Sequence, residues 1–429
     1  MRRRTSTRAR GWLLAAVGVS LASLLATACS SGTPSATSSA SGKSISYLYF
    51  TNGPDLQATK TLIATYEKQT GVTVNLQVVP YSNLNQVLQA RVSAGDPPEV
   101  VQTSNPAAFG PDLVNLGQVL GAAWVKTISP NLLGSGLYQG AVVGLPNQLT
   151  VMGPFVNVAM FRKAGVPVPS VTAQWTWPEM VAAAKKVQAA NHTPFALAMD
   201  HSGARVANVL CQYGAYLYGD SGTGTMNTAA ATQALTMLSG LFESNTMSKA
   251  AWIAAGSKYV AGDTQFLAGQ APVLLSGSWE VAAFATSVPF TWAVTPNPVG
   301  TVGGGMSGGN YMVAFKSSKN PALGAQFIKF MSEPANQGYM STVSSTIPSA
   351  VSLATPGSVQ YPGAAKQAME AFNKAATLMP AGCNLSEANP GFSQAATTVM
   401  NQLTSVVAGQ TTVPKAVAAT VASAANPNS

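Results

Sequence analysis

Three observations predict an α/β fold. Strand and helix patterns alternate along the chain, turn and cap residues punctuate them, and about 385 residues follow position 43, ample for two packed domains. Strands separated by single helices further predict a parallel sheet with helices on its faces.

From Ile45 the order is strand, turn, helix, strand. Ile45-Ser46-Tyr47-Leu48-Tyr49-Phe50 reads as a strand and Asn52-Gly53-Pro54-Asp55 as a turn. A helix then runs to about Thr70, because Pro54 suits a first helical position and Gly71 a C-terminal cap. Val72, Val74, Leu76 and Val78 alternate as a half-buried strand does, and Pro80 stops it. Helical spacing returns at Leu84, Val87, Leu88 and Val92; Gly95-Asp96-Pro97-Pro98 ends it, and Glu99-Val100-Val101 begins another strand. Further on, Thr176-Trp177-Pro178-Glu179 combines a capping box with an early proline, so a helix is expected from there to about Ala190. Phe195 to Met199 reads as a strand, Thr228 to Glu243 as a helix and Ala271 to Leu275 as a strand, while the chain from about Gly363 is alanine-rich and helical.

The first 28 residues have the layout of an export signal: Arg2, Arg3, Arg4, Arg8 and Arg10, then an uncharged run from Gly11 to Ala28. A run of that length nearly spans a bilayer, so a retained membrane helix is the alternative. The Ser/Ala/Gly stretch that follows favours cleavage, since it has no apolar face and reads as a flexible tether over 29–43. Leu25-Ala26-Thr27-Ala28-Cys29 resembles the lipobox of bacterial lipoproteins, with Ala26 where that motif usually has Leu. This resemblance implies a signal peptide over 1–28, lipidation of Cys29, and an extracytoplasmic protein anchored to the bacterial cell membrane.

The net charge of +9 is largely a property of the leader. Without its five arginines, Lys+Arg falls from 23 to 18 against 14 Asp+Glu, which leaves +4. The remaining basic residues are scattered, so no nucleic-acid partner is expected. With 9% charged and 47% hydrophobic residues, the surface must be largely Ser, Thr, Asn, Gln and Ala, which favours uncharged polar contacts with a ligand. Cys211 and Cys383 are the two thiols left beside Cys29; they suit one disulfide in an oxidising compartment, or two buried free cysteines.

Several motifs, in order, resemble the extracytoplasmic solute-binding proteins of ATP-driven importers, in the sugar and glycerol-phosphate branch that includes maltose-binding protein. Ala94-Gly95-Asp96-Pro97-Pro98-Glu99-Val100 resembles that family's AG-x-PPDV turn, and Gly144-Leu145-Pro146 with Phe155-Val156-Asn157 its crossover into the second lobe. Thr176-Trp177-Pro178-Glu179 resembles its TW-x-E helix start, and Phe266-Leu267-Ala268-Gly269-Gln270-Ala271 its segment before G-x-W. Gly303-Gly304-Gly305, Asn320 to Ile328 and Pro334-Ala335-Asn336-Gln337 resemble its closing motifs. The resemblance implies a two-lobed periplasmic-binding-protein fold with a hinge and an interlobe cleft. One lobe would hold 44–148 and 303–347, the other 149–302 and 348–429. It also implies a monomer without cofactor that captures a sugar or short oligosaccharide and delivers it to ABC transporter permease subunits.

Sugar recognition needs flat apolar faces and convergent amide, carboxylate or hydroxyl groups. The strand ends supply Asn52 and Asp55, then Gln102, Ser104 and Asn105, then Asn147 and Gln148 at the crossover, each of which equally suits a turn or cap. The G-x-W turn contributes Ser278, Trp279 and Glu280, with Trp279 the expected stacking platform. Tyr213 and Tyr216 are spaced to share a helix face, toward either core or ligand. Gly304 and Gly305 would let the backbone approach a ligand, and Phe392 with Glu387 beside it lies where the family often has a second aromatic. Met379 to Gln394 contains no Arg or Lys, which disfavours a phosphorylated ligand and prefers a neutral sugar.

The alternative is a secreted hydrolase, either a glycosidase or a serine enzyme. Gly305-Met306-Ser307-Gly308-Gly309 fits a nucleophile-elbow pattern, but both His192 and His201 precede Ser307, against the order of that fold. No histidine or cysteine spacing matches a metal site. No enzymatic activity is expected.

Overall fold

The computed structural model describes residues 43–426 apart from 52 and 356. The leader, Cys29, most of the tether and Asn52 lie outside the described residues.

The first strand, Ser44–Tyr49, shows why its sequence reads as a run rather than an alternation. Ile45, Tyr47 and Tyr49 enter one apolar cluster, while Leu48 and the following Phe50 enter another on the opposite face. Helices cover both faces of the sheet, so both residue parities must be apolar. The strand Val273–Gly277 repeats the arrangement, with Val273 and Leu275 in one cluster and Leu274 in another. Thr73–Val78 is the strand at one end of the sheet, and there the alternation survives because one of its faces is exposed, with Val74 buried and Thr73, Asn75 and Gln77 exposed.

The sheet order is Thr73–Val78, Ser44–Tyr49, Val100–Thr103, Ser307–Ala314, Gly144–Asn157, Val273–Gly277, Leu197–Met199, with Trp292–Val294 also paired to Gly144–Asn157. The three strands at the first end are parallel, as are Leu197–Met199 and Val273–Gly277 at the other. The central strands correct the expectation of a wholly parallel sheet, because Ser307–Ala314 and Gly144–Asn157 run antiparallel to their neighbours. Gly144–Asn157 is buried over all 14 residues. Its first part pairs with Ser307–Ala314 and its second with Val273–Gly277, so a single strand passes from one half of the sheet to the other.

The core divides accordingly. Two clusters draw on 45–145 and 312–340, and two on 151–306 and 365–417. This is the two-lobed α/β arrangement, with the crossover strand as its shared member. The expected capping box is present: Thr176 Oγ1 accepts from the Glu179 amide at 3.3 Å, and Glu179 Oε2 accepts from the Thr176 amide at 2.7 Å. The helix it starts, Trp177–Asn191, ends at His192 in a left-handed conformation. Helices Ala364–Ala376, Ala381–Glu387, Phe392–Val407 and Val413–Ala425 complete the chain. Among the described residues no helix is long and apolar enough to cross a membrane.

Candidate functional site

In open α/β sheets ligands meet the carboxyl ends of the strands, where loops leave the sheet. The strand Leu197–Met199 delivers Asp200 to that edge, and its parallel neighbour Val273–Gly277 delivers Ser278, Trp279 and Glu280. Asp200 is fully buried. Its Oδ1 accepts from the Gly262 amide at 2.9 Å, its Oδ2 from the Ser276 hydroxyl at 2.8 Å, and Arg205 Nε lies 3.3 Å from Oδ2. The Arg205 guanidinium stacks 4.4 Å above the ring of Trp279, whose Nε1 donates to Glu280 Oε1 at 3.0 Å. Trp279 and Glu280 are half-buried. Burial, then the charges of Asp200 and Asp263, pushes the Glu280 carboxyl up to about 8. The buried Ser278 accepts from the Val151 amide at 3.1 Å, which ties this turn to the crossover strand.

A second carboxylate sits on the helix Ala381–Glu387. The Ser307 hydroxyl donates to Glu387 Oε2 at 2.8 Å, and the Ser135 hydroxyl to the Glu387 carbonyl at 3.4 Å. Burial pushes Glu387 up to about 7 against the opposing effects of Ser307 and Arg205. Between the two carboxylate sites, a Cβ placed on Gly308 would stand 2.9 Å from Thr150 Oγ1 and 3.9 Å from the Trp279 ring. Asn105, at the carboxyl end of Val100–Thr103, donates to the Pro390 carbonyl at 3.2 Å and Ser393 Oγ at 3.1 Å. The rings of Tyr81 and Tyr259 meet edge-on, 5.6 Å apart, so the halves also touch at their rims.

The other predicted residues fall in three settings. Gln148 donates to the Tyr49 hydroxyl at 3.0 Å and accepts from Gln102 at 3.4 Å, while Tyr49 donates to Asp55, which forms a buried network beside the crossover. Asn147 is buried with its Nδ2 unpartnered, and Ser104 is half-buried. Phe392 packs in the core behind the Glu387 helix. Tyr213 and Tyr216 do not share a helix face, because the helix Gly203–Gln212 stops before them; the Tyr216 ring instead lies over Gly382. Gly304 has φ +91°, and a Cβ there would meet the Leu378 carbonyl oxygen at 2.2 Å; at Gly305 it would meet Asn208 and Asn297, each at 2.7 Å. Cys211 and Cys383 are joined as a disulfide, with Cα atoms 5.9 Å apart.

Arg205, Ser276, Tyr81, Tyr259 and Ser135 enter from positions that the sequence reading did not single out. For Arg205 there is a signal, since it is the single charge in the helix Gly203–Gln212. Ser307, which fits the nucleophile-elbow pattern, begins a strand and donates to the Glu387 carboxylate. His201 Nδ1 is 2.7 Å from the Lys258 carbonyl and Nε2 3.3 Å from Thr404 Oγ1, so His201 is not paired with a serine. Among the described residues no group of ligating side chains forms a metal site.

Two lobes sharing a crossover strand, with an aromatic residue and buried polar groups at the facing strand ends, define a solute-binding protein. Residues 51–338 match the bacterial extracellular solute-binding protein family, and the chain belongs to that family. A curated relative, the multiple sugar-binding protein of Streptococcus mutans, is 26% identical over 184 residues, which is 42% of each chain's length. Among solved structures, the ABC substrate-binding protein from Listeria monocytogenes in complex with cycloalternan is 20% identical with TM-score 0.76, covering 89% of this chain and 98% of its own. The GacH receptor of Streptomyces glaucescens, solved unliganded and with acarbose, is 20% identical with TM-score 0.75, covering 90% of this chain and 98% of its own.

Proposed function

We propose that this protein is the extracytoplasmic receptor of an ABC importer, capturing a sugar or short oligosaccharide between its lobes and passing it to membrane permease subunits. The observation that carries the reading is Trp279, a half-buried aromatic at a strand end, hydrogen-bonded to Glu280 and next to buried Asp200 and Arg205. An aromatic face beside acceptors and donors suits the C–H face and hydroxyls of a sugar. The Streptococcus mutans relative is a sugar-binding protein, and the Listeria and Streptomyces structures hold cycloalternan and acarbose, which supports the same class.

In this reading the lobes comprise 44–148 with 303–347 and 149–302 with 348–429, and closure is a hinge motion about the crossovers. The division of the apolar clusters supports those borders. Asp55, Ser104, Asn105, Asn147 and Gln148 face the ligand from the first lobe, and Trp279, Glu280 and Glu387 from the second. The protein acts as a monomer without enzymatic turnover, tethered by a lipid on Cys29 after removal of the leader.

A thermal-shift screen of the mature protein against mono- and oligosaccharides, polyols, glycerol phosphates and amino acids tests the reading. Ligand at about 100 times its dissociation constant stabilises the native state by about 2.7 kcal/mol. A sugar response without turnover is expected. A response to glycerol phosphates or amino acids alone overturns the sugar assignment.

A further inference from the structure

We infer that Arg205 is a ligand-contacting residue that sets specificity in this cleft, donating from Nη1 to a hydroxyl of a neutral saccharide held against Trp279. The inference rests on the sugar-receptor reading and adds to it the residue that reads the ligand.

Arg205 is 7% exposed and lies in the first turn of Gly203–Gln212, at the sheet edge where the strand Leu197–Met199 ends. Its guanidinium is fixed on two sides, by Asp200 at 3.3 Å from Nε and by Trp279 at 4.4 Å beneath Cζ. Asp200 is itself held by Gly262 and Ser276, so the charge facing the guanidinium is fixed in place. Nε faces Asp200 as an ion pair without hydrogen-bond geometry, and Nη1 is buried with no hydrogen-bond partner at all. A buried charged donor without an acceptor is costly, and a structural arginine normally satisfies its fork. Here the fork is held in one orientation, beside a half-buried aromatic, with a donor to spare. Such preorganisation suits a site whose missing acceptor arrives with the ligand.

Charge decides what kind of acceptor it is. Asp200 compensates the guanidinium, so the pair presents a donor without net positive charge. Glu280 and Glu387 have no cation in salt-bridge reach among the described residues, and burial holds both carboxyls toward the protonated form near neutrality, so neither adds a positive charge to the site. A ligand carboxylate or phosphate would find no net positive charge to pair with; a hydroxyl needs none.

Isothermal titration of the mature protein with maltotriose, isomaltotriose, cellotriose and xylotriose tests the inference, followed by singly deoxygenated forms of the sugar that binds. Arg205→Lys keeps the charge facing Asp200 but loses the planar fork and Nη1. We expect it to weaken binding at least tenfold while the unliganded protein keeps a cooperative unfolding transition. One deoxy position should weaken binding to wild type but add little to the loss in Arg205→Lys. Should Arg205→Lys not fold, the double variant Asp200→Asn/Arg205→Gln leaves no lone buried charge and should show the same loss. If wild type binds a trisaccharide and the variants bind it equally, Arg205 is structural and the inference fails alone. If wild type binds none of the four, the inference and the neutral-sugar reading fail together.

Discussion

Cys211 and Cys383 stand 172 residues apart in sequence and 5.9 Å apart at Cα. Their bond joins the end of Gly203–Gln212, the helix that begins near Arg205, to Ala381–Glu387, the helix that ends in Glu387. It therefore clamps two elements of the candidate site, and both cysteines are buried. Replacing Cys211 and Cys383 together by Ser or Ala should cost about 2–4 kcal/mol, the usual range for such a link. Guanidinium unfolding with and without reductant checks the magnitude. Mass spectrometry of alkylated, unreduced protein should find neither thiol free; finding both free removes the clamp.

Trp279 is half-buried at the rim of its apolar cluster, where its ring also contacts Arg205 and lies close to Gly277. Trp279→Ala should therefore leave the fold intact while removing the platform. Truncating a central aromatic in a binding site commonly costs 2 kcal/mol or more, about a thirtyfold loss of affinity. Titration of the sugar from the screen measures it, and unchanged affinity would remove Trp279 from the site.

Thr176 Oγ1 and Glu179 Oε2 satisfy each other's backbone amides at the start of Trp177–Asn191. Thr176→Ala should cost about 1 kcal/mol through the loss of this cap, whereas Thr176→Ser should be nearly neutral. Chemical unfolding of the two variants distinguishes the cap from a simple volume effect, which would penalise both.

That cap was legible because it lies within four consecutive residues, and the outer strands were legible because their apolar runs are short and bounded by turns. Residues 228–243 form a helix with the bounds read from spacing alone. The central strands were not legible. Gly144–Asn157 carries Asn147, Gln148 and Thr150 among its buried residues, so it shows neither an apolar run nor a clean alternation. Ser307–Ala314 begins Ser-Gly-Gly-Asn, which reads as a turn, yet its glycines admit Thr150, the Gln148 carbonyl and the Leu149 backbone at close range. The site was half legible for a related reason. Trp279 and Glu280 are neighbours and could be read as a pair, but the Asp200 cluster draws on 200, 205, 262 and 276, which only the fold brings together. Tyr213 and Tyr216 have helical spacing, yet the helix ends at Gln212 and the chain turns at Gly214, where φ is +73°.

Glu280 and Glu387 each contribute a pH-dependent part of the stability near neutrality. Burial holds them up to about 8 and about 7, whereas an unfolded glutamate titrates near 4.3. Between those values the native state retains protons that the unfolded chain has released. The contribution of these two groups must then fall as pH rises from about 5 to 8, because its slope with pH follows protons bound in the unfolded state minus those bound in the native state, while His201, held below its usual value by burial, contributes in the opposite sense. The stability from these groups is fully present below the unfolded value and is lost as pH passes the folded ones. Asp96 and Glu179 are shifted the other way, Asp96 chiefly by Lys319 and Glu179 by the Thr176 amide, so their contributions are lost only at more acidic pH. Glu387→Gln keeps an acceptor for the Ser307 hydroxyl and removes one of the two high-pKa carboxylates. Its unfolding midpoint should exceed that of wild type at pH 8, and the gap should narrow as pH falls to 5 and close below about 4.3. Thermal unfolding of both proteins across that interval checks the sign; a variant that runs parallel to wild type would mean that Glu387 is ionised throughout and solvated in the native state.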